Sequence, residues 1–158
     1  MIKFLKNLFG KKPSDKEINQ VETYKDLEDS DVIEAVAVML LRAANIDGHK
    51  DEKEILLIKK LLNEQFNLSP SEVELLISSS SEKEEMSADL YEWSKIINDS
   101  YSKEKKNIVF SLMCEIVNAD GVIDPFESNF IRRLSGLLYI SDKEAGMIKK
   151  KILGVKEK

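Results

Sequence analysis

Two short stretches of this chain concentrate side-chain oxygen. Asn45, Asp47, Asp51 and Glu54 make one set; Asn118, Asp120, Asp124 and Glu127 make the other. A single offset of 73 residues carries the first set onto the second, and it also carries Gly48 onto Gly121. Hard divalent cations such as calcium, magnesium or manganese select carboxylate and amide oxygens of this kind. With the glycine counted as loop position six, each glutamate falls at position twelve, as in a helix–loop–helix calcium site. Position one is Ala43 or Ile116, so both loops lack the first carboxylate of that site. The same residues have a second use that needs no ion. Asp51 and Asp124 fit the cap position of a helix, Glu54 and Glu127 fit its third residue, and a capping box joins such pairs reciprocally. Asp47 and Asp120 then suit side-chain turns, with the glycines supplying the bend. Capping alone contributes about 1 kcal/mol per helix. Both uses can coexist, because a carboxylate can cap with one oxygen and ligate with the other.

Other chemistries find less support. His49, the only histidine, lies between Asp47 and Asp51 and could add a ligand. One histidine without cysteines makes a poor zinc set, so zinc ranks below the hard cations. No serine or cysteine nucleophile has a histidine partner in view, and no glycine loop cradles phosphate, which argues against an enzyme. Cys114, among Leu112, Met113, Ile116 and Val117, reads as a small buried hydrophobe. Trp93, at helical spacing with Leu90 and Ile97, reads as core. Lys149–Lys151 suit the last turn of a helix, where positive charge is favoured.

The elements that must hold the two loops are helices throughout. Helical period dominates the chain and strand-like alternation is absent. Capping signatures recur at Ser69–Glu72, Ser81–Glu84 and Ser141–Glu144. The pattern predicts seven helices, near 31–45, 51–66, 70–79, 83–99, 103–118, 124–138 and 142–153, with Ser78–Ser81 as a stop and cap. Two are apolar almost all round: Val32 to Ala44 is broken only by Glu34 and Arg42, and Ile108 to Val117 only by Ser111 and Glu115. Such helices belong in the middle of a bundle. The repeat also pairs Val36 with Val109, Ile58 with Ile131 and Leu61 with Leu134; after the loss of one residue, Ser69 pairs with Ser141 and Glu72 with Glu144. The expected fold is all-α: about seven helices in two pseudo-symmetric halves around a pair of apolar core helices. The segment 83–99 is left as a connector.

The ends differ from the body. Residues 1–12 carry four lysines and no acid, and residues 149–158 carry five lysines and one acid. The chain as a whole has a net charge of −5, so the stretch between is strongly acidic and nucleic acid is disfavoured as a partner. Ile2, Phe4, Leu5, Leu8 and Phe9, interleaved with lysines, could make weak peripheral contact with an anionic membrane. No apolar run approaches the roughly 20 residues that span a bilayer. No secretory leader is evident either, which leaves the cytoplasm as the expected compartment. The pattern divides the chain into a basic N-terminal segment with an acidic linker over 1–29, and a helical domain over 30–154.

The residues that carry the repeat also resemble a known family. The run from Ile116 to Glu127, continuing through Phe130 to Leu138, is similar to the second acidic motif of the TerB-like proteins, named for tellurite resistance. Ala43 to Gly48 with Glu54 resembles the first motif, and Asp89 to Asn98 resembles the middle segment of a poorly characterised bacterial branch. The resemblance covers roughly 31–150. It implies an all-helical fold, a link to metal or oxyanion stress, and cation binding by the acidic loops. The first loop departs from the pattern, with Lys50 where the second has Ile123, and a cationic side chain there opposes a metal ion. The expectation is a non-catalytic module that senses a divalent cation through Asp47, Asp51, Glu54, Asp120, Asp124 and Glu127, with Asn45, His49 and Asn118 as further ligands, and signals to a protein partner. The alternative is a metal-independent adaptor, peripheral to a membrane through residues 1–12, whose acidic loops are purely structural.

Overall fold

The computed structural model describes residues 16–46, 51–86, 89–119 and 121–153, and within them the side chains of 30–152. The described residues form seven α-helices and no strand: α1 (Lys16–Ala44), α2 (Glu52–Phe66), α3 (Pro70–Met86), α4 (Tyr91–Ser100), α5 (Lys103–Val117), α6 (Pro125–Leu137) and α7 (Asp142–Leu153). The all-α expectation holds. Segment 1–12, with Ile2, Phe4, Leu5, Leu8 and Phe9, lies outside the described residues.

α1 begins at Lys16, well before the boundary near Ser30 that the apolar pattern suggests. From Lys16 to Asp29 the chain has no glycine or proline, carries three glutamates and two lysines, which favour helix, and has Ile18, Val21, Tyr24 and Leu27 at helical spacing.

The core forms around the two apolar helices. Val32 and Ala35 to Leu41 of α1 are wholly buried, as are Phe110, Met113, Cys114 and Ile116 of α5. Ile108, at the start of the second apolar run, is instead exposed on the surface. α1 packs against α2, α3, α4 and α5, while α5 packs against α1, α2, α6 and α7. Each core helix therefore gathers the two helices that follow its own acidic loop. The repeat pairs keep equivalent places: Ile58 and Ile131, and Leu61 and Leu134, are all buried. Trp93 and Cys114 are in the core, as expected.

Helix starts follow the capping signatures with one exception. Ser69 Oγ accepts from Glu72 N at 3.2 Å while Glu72 Oε1 accepts from Ser69 N at 2.7 Å, a complete box. Ser141 Oγ accepts from Glu144 N at 3.1 Å. The Ser81–Glu84 signature starts no helix, because α3 runs unbroken through it to Met86. Ser78–Ser81 is likewise no stop. What overrides the local signal is burial: Ser80 and Glu84 face the interior, and Glu84 is tied to α1. The connecting helix starts later than its pattern suggests, at Tyr91, whose N–H is taken by Asp89 Oδ1 at 2.9 Å.

Candidate functional site

The first acidic loop leaves α1 through a tight turn. Asn45 N donates to the Arg42 carbonyl at 3.1 Å, and Asn45 and Ile46 are half-buried. Asp47, Gly48, His49 and Lys50 lie outside the described residues. The chain is described again at Asp51, an extended cap residue (φ −68°, ψ 139°) whose carboxylate accepts from Lys53 N at 3.1 Å. Asp51 is exposed and Glu54, in the first turn of α2, is half-buried.

The second loop leaves α5 in the same manner. Asn118 N donates to the Cys114 carbonyl at 3.0 Å, and Gly121 N returns to the Asn118 carbonyl at 2.8 Å. Gly121 sits at φ 82°, a conformation that costs glycine nothing and strains other residues. Asp120 lies outside the described residues. Asp124 and Glu127 close the box anticipated for them: Glu127 N donates to Asp124 Oδ1 at 2.8 Å, and Asp124 N donates to Glu127 Oε1 at 3.0 Å. Pro125 occupies the first helical turn, where its missing N–H costs nothing.

Two observations fix how the loops sit relative to each other. At one end of the α2–α5 contact, Gln65 and Phe66 share a cavity of about 250 Å³ with Tyr101, Lys105, Ile108 and Val109. Lys60, more than a turn earlier on α2, acts electrostatically on Glu115, nearly two turns later on α5. Residue numbers thus fall along α2 as they rise along α5, so the two helices run antiparallel. The start of α2, where Asp51 caps, and the end of α5, where Asn118 begins the second loop, therefore share one end of the bundle. The sequence left this arrangement open.

Glu115, near this end, has a perturbed carboxyl. Partial burial raises its pKa above the ordinary 4.5; Glu64 raises it further, and Lys60 works in the opposite direction. Exposed apolar side chains accompany the carboxylates: Val122 is 67% and Phe126 72% exposed, on either side of Asp124. Among the described residues no three histidine, cysteine, aspartate or glutamate side chains converge as a metal cage. The described carboxylates Asp51, Glu54, Asp124 and Glu127 are hard oxygen donors, which suit calcium, magnesium or manganese in kind.

A family model described as tellurite resistance protein TerB matches residues 33–150, which is well over half of the chain. The chain belongs to the TerB family. No curated protein and no solved structure matches it. The TerB match takes in both acidic loops, the connecting helix α4 and the capped starts of α2, α3, α6 and α7. It does not reach residues 1–12. Among the described residues, no helix of this TerB-family chain is long and apolar enough to cross a membrane.

Sequence reasoning missed two polar contacts that shape the TerB fold here. Arg42 Nε donates to Glu84 Oε2 at 2.7 Å, and Lys83 Nζ meets Glu34 Oε1 at 2.9 Å. The signal was present: Glu34 and Arg42 are the polar breaks in an otherwise apolar helix, and a buried charge requires a partner.

Proposed function

We propose that this chain is a non-catalytic TerB-family module that binds a divalent cation at its loop-bearing end and passes that state to a protein partner. The observation that carries the reading is the placement of two equivalent capping carboxylates, Asp51 and Asp124, at one end of a two-halved helical bundle. In each, one oxygen serves the helix start, and the other is available to a hard cation. Asp47 and Asp120 supply further carboxylates within the same loops, with Glu54 and Glu127 behind them. The family's link to tellurite resistance supports a role in metal or oxyanion stress.

Calcium, magnesium and manganese are the ions this donor set favours, with zinc behind them. Isothermal titration with each of the four is the test. Heat of binding that disappears in Asp120→Asn, and weakens in Asp124→Asn, is the expected result. No heat with any ion removes the cation from the account.

A second reading, a metal-independent adaptor, is favoured by one observation. Val122 and Phe126 project into solvent from the second loop and the start of α6, where a purely structural turn gains nothing from them. Under that reading the caps stabilise a rigid loop and the apolar pair meets a partner. Partner capture that is indifferent to chelator, in a chain showing no heat with any ion, supports it.

A further inference from the structure

The cavity of about 250 Å³ between α2 and α5 lies at the end of the bundle opposite the acidic loops, where α2 stops and α5 begins. Three helix termini build it. Phe66 is the last residue of α2, before Asn67 turns the chain at φ 57°. Tyr101 closes α4 by donating its N–H to the Ile97 carbonyl at 2.8 Å. Lys105, Ile108 and Val109 come from the first two turns of α5, whose start is capped by Ser102 Oγ accepting from Lys105 N at 3.2 Å. Val109 is buried, Phe66 and Tyr101 are half-buried, and Gln65 and Lys105 are exposed. The space thus has an apolar, largely aromatic body and a polar mouth. An apolar cavity of about 150 Å³ already holds benzene, whereas drug-sized ligands take roughly 300 Å³ or more. What fits is a single ring with a short tail, and the rings of Phe66 and Tyr101 favour an aromatic body.

Charge decides the tail. α5 opens on Lys103, Glu104, Lys105 and Lys106, three cations in a turn where the helix dipole favours acids. Two of them have partners: Lys103 Nζ meets Glu144 Oε2 at 3.1 Å, and Lys106 Nζ donates to Asn98 Oδ1 at 3.3 Å. Among the described residues no carboxylate meets Lys105, whose ammonium lies 5.1 Å from the centre of the Tyr101 ring. A cation set against the dipole, without a counter-charge, at the mouth of an apolar cavity gains from an anionic ligand. Residues 1–12, with four lysines and no acid, carry the wrong sign to fill it. We infer that this cavity binds a small aryl carboxylate, with its ring against Phe66, Tyr101 and Val109 and its carboxylate on Lys105. The site needs no bound ion, so it stands apart from the cation reading.

Titration of the full chain with phenylpropionate, followed through backbone amide shifts by NMR, tests it. Shifts should concentrate at Gln65, Phe66, Tyr101, Lys105 and Val109, with a Kd on the order of 0.1–1 mM for so small a ligand. The neutral phenylpropanol should bind about tenfold more weakly, and the cationic phenylpropylamine more weakly still. Lys105→Met should weaken the acid about tenfold and leave the alcohol unchanged. Lys105→Glu is the sharper measurement, because it should reverse the order of acid and amine. Both substitutions lie on the surface, and circular dichroism confirms the fold. Absence of shifts at about 10 mM acid overturns the inference, as does equal binding of acid, alcohol and amine. Shifts that gather at the acidic loops instead place the ligand elsewhere and also overturn it. Octanoate binding as tightly as phenylpropionate shows that the cavity selects no ring, and removes the aryl ligand.

Discussion

The two halves follow the same path but fasten their third helix differently. In the first, α3 runs for 17 residues, and its last two turns reach back to α1. Lys83 and Ser79 hold Glu34, at 2.9 and 3.3 Å, and Glu84 holds Arg42. In the second, α7 stops after 12 residues. The repeat offset carries Glu34 onto Asn107 and Arg42 onto Glu115. Asn107 Oδ1 is buried with no hydrogen-bond partner among the described residues, and Glu115 faces the like charge of Glu64. Apolar positions such as Val36 and Val109 have stayed the same, because any copy of the bundle fills the same volume there. Polar positions have diverged, because each is useful only where the other half of its contact exists.

The largest expected effect tests that fastening. Glu84→Ala leaves Arg42 without its carboxylate in a largely buried setting and should cost about 2–3 kcal/mol of unfolding free energy. Glu115→Ala, at the position equivalent to Arg42, should cost little or nothing. Urea titration measures both as shifts in midpoint at constant slope. Equal losses would erase the contrast between the halves. The caps rank next. Asp124 is half-buried in a reciprocal box, whereas Asp51 is exposed and accepts from Lys53 N. Asp124→Ala should cost about 1–2 kcal/mol and Asp51→Ala about 0.5 kcal/mol. Thermal unfolding of the two variants side by side gives the order, and a larger loss at Asp51 would reverse it.

Much of this is legible in the amino-acid sequence. The fold class, the two core helices, the repeat and the caps at Asp51, Ser69, Asp124 and Ser141 follow from period and local chemistry, which act over a few residues. The boundary of α3 was not legible in the same way. Ser81–Glu84 is a sound local start signal, but a contact 42 residues away, between Arg42 and Glu84, outweighs it. The candidate loops divide similarly. Their caps were readable, and so was the turn at Gly121, whereas their common end depends on the direction of α2 against α5, which no local pattern encodes. Asp47, His49 and Asp120 lie outside the described residues.

Acidity provides a third probe of the difference between halves. The Glu115 pKa is raised in the folded chain, so its charged form opposes folding. The stability it permits is fully present below the unfolded glutamate pKa and is lost as pH rises through the higher folded value. Glu115→Gln should therefore be more stable than wild type at pH 7, with the advantage shrinking as pH falls and gone once both states are protonated. Because Glu64 contributes to the shift, Glu64→Gln should reduce the same advantage. A pH-independent difference would assign the effect to packing rather than charge.

The smallest expected effect comes from a place where the halves agree in backbone and differ in side chain. Asn67, after α2, and Tyr139, after α6, are the two described non-glycine residues with positive φ, at 57° and 58°. They are equivalent once the lost loop residue is allowed for. Asparagine tolerates this left-handed conformation, while a bulky side chain there costs on the order of 1 kcal/mol. Tyr139 recovers part of that cost from Lys106, whose ammonium lies 5.6 Å from its ring centre, an exposed cation–π contact that is worth about 0.5 kcal/mol. Tyr139→Asn gives the second half the residue of the first and should raise stability by about 0.5 kcal/mol. Because Lys106 Nζ also donates to Asn98 Oδ1 at 3.3 Å, Lys106→Met should lower stability in both backgrounds but more in the wild type, and the difference isolates the ring contact from the backbone. A loss of stability in Tyr139→Asn itself would mean that the exposed ring contributes more than its backbone costs, and that this turn has been refitted rather than merely inherited.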